Sequence, residues 1–210
     1  MVVALIAATS ALLGILLIAE RTDASWRLWP KAAASTGFLA VAVVSGAADT
    51  AYGRWVLVAL ALGWIGDIAL VSRRSTWFLM GLGAFLLSQL TYVGAFGVVG
   101  MRAIATGVTL VLLVVPAIVI GRWLMPHVPR DMRVPVLAYV VVITVTVAAA
   151  TGAASNSAPW PVLPAAVLFY GSDLFVARER FVTPTFWNRA AGLPLYYAAQ
   201  TLFAVSTGMV

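Results

Sequence analysis

The run Leu62-Gly63-Trp64-Ile65-Gly66-Asp67-Ile68-Ala69-Leu70-Val71-Ser72-Arg73-Arg74 decides how the chain is read. Asp67 interrupts a segment that is otherwise apolar and long enough to cross a bilayer. A charge inside a membrane helix costs at least a few kcal/mol, so such a residue needs a reason. The second half of the chain offers a counterpart in Phe169-Tyr170-Gly171-Ser172-Asp173-Leu174-Phe175-Val176-Ala177-Arg178, again an aspartate in an apolar run just ahead of arginines. The expectation is that Asp67 and Asp173 face one another.

Composition fixes the class. With 210 residues, 63% apolar, 10% charged and a mean hydropathy of +1.03, the chain has too little polar surface to cover a water-soluble globule. It reads as a polytopic membrane protein. The absence of cysteine removes disulfides, thiolate nucleophiles and cysteine-bound metals. The one histidine, His127, stands between Pro126 and Pro129 in a polar connection, so no zinc site can be assembled from it. No metal or other cofactor is expected. The net charge of +6 follows the placement of arginines at helix ends rather than a nucleic-acid patch, and no nucleic-acid partner is expected. The first apolar run has its charges after it, not before it, which predicts a retained helix and not a cleaved signal peptide.

Spans of about 17–25 apolar residues predict eight transmembrane helices: Val2–Ala19, Ala32–Ala48, Arg54–Val71, Trp77–Val99, Ala103–Gly121, Val134–Gly152, Trp160–Ala177 and Ala190–Met209. They form a single all-α domain over residues 1–210. Eleven of the 13 Lys and Arg residues fall in the odd-numbered connections, and only Arg54 and Arg102 lie on the other side. Cytoplasmic loops collect these residues, so both termini are expected outside the cytoplasm. Helices three and seven then run in the same direction. Asp67 precedes Arg73 by six residues and Asp173 precedes Arg178 by five. At about 1.5 Å per residue, each carboxylate lies roughly 7–9 Å deeper than its arginine. Helices one to four and five to eight also read as two parallel repeats, with Gly66-Asp67 echoed by Ser172-Asp173 and Gln89 by Gln200, against chance similarity among apolar helices.

Further polar residues mark inward faces. Phe85, Gln89, Tyr92 and Phe96 form one stripe on helix four. Its amide and phenol would be unsatisfied in lipid. Helix eight groups Tyr196, Tyr197 and Gln200 just past Pro194, which is expected to bend it. Tyr139 lies at the depth of the aspartates. Interfacial anchoring by tyrosine and helix joining by glutamine account for such residues equally well. The aspartates differ, because no lysine or arginine lies within either predicted span beyond Arg54 at the far end of helix three. Two carboxylates at one depth in a water-poor site would share a proton, placing a general acid beside a general base, as in enzymes that cleave acetal-like C–O bonds.

The runs Gly66–Leu70, Phe78–Tyr92, Phe169–Asp173 and Tyr196–Gln200 together resemble the YhhN-type membrane family, which includes the lysoplasmalogenases. The resemblance covers all eight helices. It implies hydrolysis of the vinyl-ether bond of a lysoplasmalogen, or a related lysolipid, to a fatty aldehyde and a glycerophospho-alcohol, with Asp67 and Asp173 as the catalytic pair. Lys31, preceded by Pro30, resembles the family's Lys-Pro pair. Gln89 stands where the family commonly has a histidine, which removes a proton carrier from that position. In this reading Lys31, Phe85, Gln89, Tyr92, Tyr139, Tyr197 and Gln200 contact substrate. The phosphate rests among Lys31, Arg73, Arg74, Arg178, Arg180 and Arg189, and the tail runs along Phe85, Tyr92 and Phe96. The expected partners are lysophospholipid and membrane lipids, with no protein partner, and the expected location is the cell's inner membrane. A proton-coupled transporter and a non-catalytic lipid-binding protein are the rival readings.

Overall fold

The computed structural model describes residues 1–72 and 74–210, which leaves Arg73 of the opening stretch outside the described residues. Among those residues there are eight α-helices and no strand: α1 (Val2–Arg21), α2 (Leu28–Val44), α3 (Ala51–Ala69), α4 (Ser75–Val99), α5 (Ala103–Leu124), α6 (Arg133–Ala154), α7 (Val162–Ala177) and α8 (Phe186–Ser206). Each occupies one of the apolar runs, with ends displaced by a few residues.

The displacements have local causes. Helix α2 starts at Leu28, four residues ahead of the expected Ala32, because Pro30 falls in the first turn, where no backbone N–H is needed. It ends just before Gly46, whose φ of +89° only glycine adopts readily. There the Gly46 and Ala47 amides donate back to Val43 and Ala42. Helix α8 starts four residues early as well. The carboxylate of Glu179 accepts from the Thr185 backbone N–H (2.7 Å) and from the Asn188 amide (3.0 Å), so an anion sits at the helix N-terminus. Helix α8 then continues through Pro194 without interruption. Between α7 and α8 lies an unforeseen π turn, Arg178–Val182.

Among the described residues, five segments are long and apolar enough to cross a membrane: α1, α3, α4, Ala103–His127 and Arg130–Ala154. The chain is therefore a multi-pass, all-helical membrane protein. The other three helices are short (α2 and α7, 17 and 16 residues) or, in α8, interrupted by Asn188, Arg189, Tyr196, Tyr197 and Gln200. Two of the three, α2 and α8, surround Asp67 with polar side chains.

Consecutive helices pack in pairs, α1 on α2, α2 on α3 and α3 on α4, and likewise α5 on α6, α6 on α7 and α7 on α8. Helix α4 also packs on α6, and α2 on α8. The centre is aromatic. Tyr92 stacks on Phe203 with ring centroids 4.0 Å apart, and Phe38, Phe96 and Phe169 are fully buried. Helix α5 is peripheral, with only Gly121 and Leu124 buried.

Candidate active site

Asp67 is 2% exposed and held by three partners. Its Oδ2 accepts from the Ser35 hydroxyl (2.7 Å) and the Tyr196 hydroxyl (2.7 Å), and its Oδ1 lies 3.6 Å from the Lys31 ammonium. Lys31 and Ser35 are one turn apart on α2, so both side chains meet α3 on the same face. Gly66 lets α4 approach, because a Cβ there would stand 2.7 Å from the ring of Phe85. The hydrogen bonds continue behind Tyr196. Gln200 donates Nε2–H to the Tyr196 oxygen (3.1 Å) and accepts from the Tyr92 hydroxyl (2.7 Å). Tyr197 meets Ser35 at 2.9 Å.

Asp173 is built differently. One donor, the Tyr139 hydroxyl, reaches its Oδ2 at 2.7 Å, and no cation among the described residues is paired with it. Both aspartates line one cavity of about 660 Å³. Its walls come from the last residues of α1, α3, α5 and α7 and the first of α2, α4, α6 and α8, all at one end of the bundle. The mouth is polar, with Arg189 lying 3.3 Å from Glu20 and 3.7 Å from Glu179. The interior is apolar, formed by Leu82, Phe85, Ile120, Leu124, Val140 and Ile143 among others.

Of the residues expected to touch substrate, Lys31, Phe85 and Tyr139 line this cavity together with both aspartates. Tyr92, Tyr197, Gln200 and Gln89 do not; they are buried behind its wall. The first three belong to the hydrogen-bonded chain that ends on Asp67, and they act on the site through Tyr196 and Ser35. Gln89 lies against Tyr139, but its Nε2 makes no hydrogen bond with the described residues. The expected tail path also changes. Tyr92 and Phe96 are fully buried in the aromatic centre, and the apolar cavity wall passes instead along Phe85, Leu82 and α5.

Two further expectations are corrected. The span expected for helix two leaves Lys31 outside it and gives its ammonium to the phosphate, whereas Lys31 sits in the first turn of α2, 8% exposed, paired with Asp67. Among the other basic residues, Arg180 and Arg189 reach the cavity, but Arg74 and Arg178 do not. Arg73 lies outside the described residues. Sequence reasoning misses Ser35 and Tyr196 as contacts of Asp67. The one-turn spacing of Lys31 and Ser35 is a usable signal for the first, and adjacency to Tyr197 for the second.

The fold and cavity define a multi-pass membrane protein with two carboxylates at the base of an amphipathic pocket. The chain belongs to the YhhN family, whose model matches residues 26–207. It is 31% identical over 150 residues to a Mycobacterium bovis protein named lysoplasmalogenase, covering 69% of this chain and 56% of that one. It is 30% identical over 170 residues to the human lysoplasmalogenase TMEM86B, covering 81% and 69% respectively, and 31% identical over 162 residues to the bovine lysoplasmalogenase TMEM86A, covering 72% and 64%. The match therefore spans little more than half the length of the mycobacterial relative. No solved structure matches the chain.

Proposed function

We propose that the protein is a membrane-embedded hydrolase that cleaves the vinyl-ether bond of a lysoplasmalogen, releasing a fatty aldehyde and a glycerophospho-alcohol. The observation that carries this reading is that Asp67 and Asp173 open onto the same cavity with unlike partners. Asp67 takes two hydroxyl donors on one oxygen and faces an ammonium with the other, so every polar contact treats it as an acceptor. It is the ionised member. Asp173 has one hydroxyl donor and a second oxygen left to carry a proton toward the cavity. It is the acid.

The reaction then closes on the two carboxyls. Asp173 gives its proton to the vinyl carbon beta to the ether oxygen, and the resulting oxocarbenium ion is stabilised by the Asp67 carboxylate. Water adds to the cationic carbon and leaves a proton on Asp67. The hemiacetal hydroxyl returns a proton to Asp173 as the C–O bond breaks, and Asp67 protonates the departing glycerol oxygen. Both groups end as they began.

The cavity's shape supports a single-chain phospholipid, with a charged mouth for the headgroup and an apolar interior for the tail. In this reading all eight helices span the bilayer of the cell's inner membrane as one domain, with both termini outside and the cavity at the cytoplasmic end. A parallel repeat is supported by the packing, because advancing each helix by four maps α1–α2, α2–α3, α3–α4 and α2–α8 onto α5–α6, α6–α7, α7–α8 and α6–α4. The test is product analysis with purified protein in detergent. Aldehyde released from a lysoplasmalogen, with no fatty acid from the matching ester lysophospholipid, is the expected result. Fatty acid from the ester and no aldehyde would change the reaction. Neither product, with proton-driven lipid uptake into liposomes, would favour a transporter.

A further inference from the structure

The cavity does not end at its polar mouth. Helix α5 packs on α6 and touches the π turn at its inner end, but it makes at most marginal contact with α7. Between α5 and α7 lies a second, open groove lined by Val119, Ile120 and Trp123 on one side and Leu174, Phe175 and Arg178 on the other. Ile120, Leu174 and Phe175 also line the main cavity, so the same three side chains form the groove's floor and the cavity's wall. Leu174 is next to Asp173, the carboxyl assigned as proton donor.

The groove's remaining features match a lipid lying in the bilayer. Its lining is apolar except at one end, where Arg178 is exposed and its guanidinium makes no hydrogen bond or ion pair with the described residues. By contrast, Arg27 and Arg189 are each within reach of a carboxylate, and Arg180 lies over the ring of Phe78 at 4.6 Å. Trp123, partly exposed one turn past Ile120, sits where aromatic residues mark the membrane–water boundary. Pro116 is one turn before Ile120 and removes a backbone hydrogen bond from α5 at the level of the groove.

We infer that the gap between α5 and α7 is a lateral portal, through which a single-chain phospholipid moves from the bilayer into the cavity with its phosphate on Arg178 and its tail over Ile120, Leu174 and Phe175. The inference rests on the function proposed above for the identity of the lipid, but the path follows from the groove. It also explains how a lipid reaches carboxylates deep in the bundle without leaving the membrane: the phosphate on Arg178 sets the first carbons of the chain at the level of Leu174, beside Asp173.

The experiment uses the full-length protein in liposomes with a lysophospholipid carrying a photoreactive diazirine near the start of its tail. Labelled peptides are mapped, and turnover is measured for wild type, Val119→Trp and Arg178→Gln. Val119 borders the groove but not the cavity. The expected result is label within residues 119–123 and 174–178, with kcat/KM for a long-chain substrate in the bilayer lowered tenfold or more by Val119→Trp. A short-chain, water-soluble substrate entering from the polar mouth should be cleaved by that variant within twofold of wild type. Arg178→Gln should raise KM for the bilayer substrate and leave kcat unchanged. Label confined to other faces of the bundle, or equal effects of Val119→Trp on both substrates, would overturn the portal. Groove labelling without cleavage of any vinyl ether would uphold the portal and discard the reaction, and cleavage with an unlabelled groove would do the reverse.

Discussion

Replacing Lys31 by methionine removes the cation paired with Asp67 and keeps the volume of its buried stem. At the observed 3.6 Å separation, and with an effective dielectric of about 20, the lost attraction is about 4–5 kcal/mol. Breaking a buried pair from one side costs about 3–5 kcal/mol in general, because the other charge is left behind. Asp67 keeps the Ser35 and Tyr196 donors, which places the expected loss near the lower end, about 3 kcal/mol. The assay is reversible unfolding in detergent, run as a double-mutant cycle with Asp67→Asn. The Asp67→Asn change alone leaves a buried ammonium facing an amide, so it too should destabilise. The double variant contains neither charge and should be more stable than the sum of the single losses by at least about 2 kcal/mol. A loss under about 1 kcal/mol for Lys31→Met, or strict additivity in the cycle, would refute the pairing as the force that keeps Asp67 ionised. Turnover should fall in Lys31→Met whether or not stability is rescued, because the cation that faces the Asp67 carboxylate is gone.

Three other outcomes follow from the geometry. Tyr139→Phe removes the donor to Asp173; that bond strengthens as the acid loses its proton, so kcat should drop by about ten- to a hundredfold with little change in KM, and an unaltered kcat would contradict the assignment of the acid. Gln200→Leu cuts the Tyr92–Gln200–Tyr196 chain outside the cavity, and should lower stability by about 1–3 kcal/mol while shifting KM less than twofold, as read from unfolding and steady-state kinetics. Gly66→Ala drives a methyl group into the Phe85 ring and should cost about 1–3 kcal/mol, whereas Gly83→Ala on the open side of α4 should be neutral in the same unfolding assay.

Hydropathy is enough to place all eight helices, and two charges in apolar runs are enough to single out Asp67 and Asp173. The partners of those charges are less legible. Starting helix two at Ala32, where the apolar run begins, leaves Lys31 outside the span, and that four-residue shift hides the cation from Asp67. The stripe Phe85, Gln89, Tyr92 and Phe96 correctly points inward, but helical periodicity separates the inside of a bundle from lipid, not one interior surface from another. Phe85 faces the cavity while Tyr92 and Phe96 face the aromatic centre. The π turn is invisible for a further reason. Apolar spacing carries no sign of Glu179, inside that turn, meeting the Thr185 N–H and the Asn188 amide at the start of α8.

Aldehyde release from a lysoplasmalogen by Asp67→Asn and Asp173→Asn, each shown to be folded, tests the division of labour between the two carboxyls most directly. The account predicts that each substitution lowers turnover by at least about a thousandfold while both proteins still bind the lipid, since neither half of the proton cycle runs without the other. Normal turnover in either variant would contradict it.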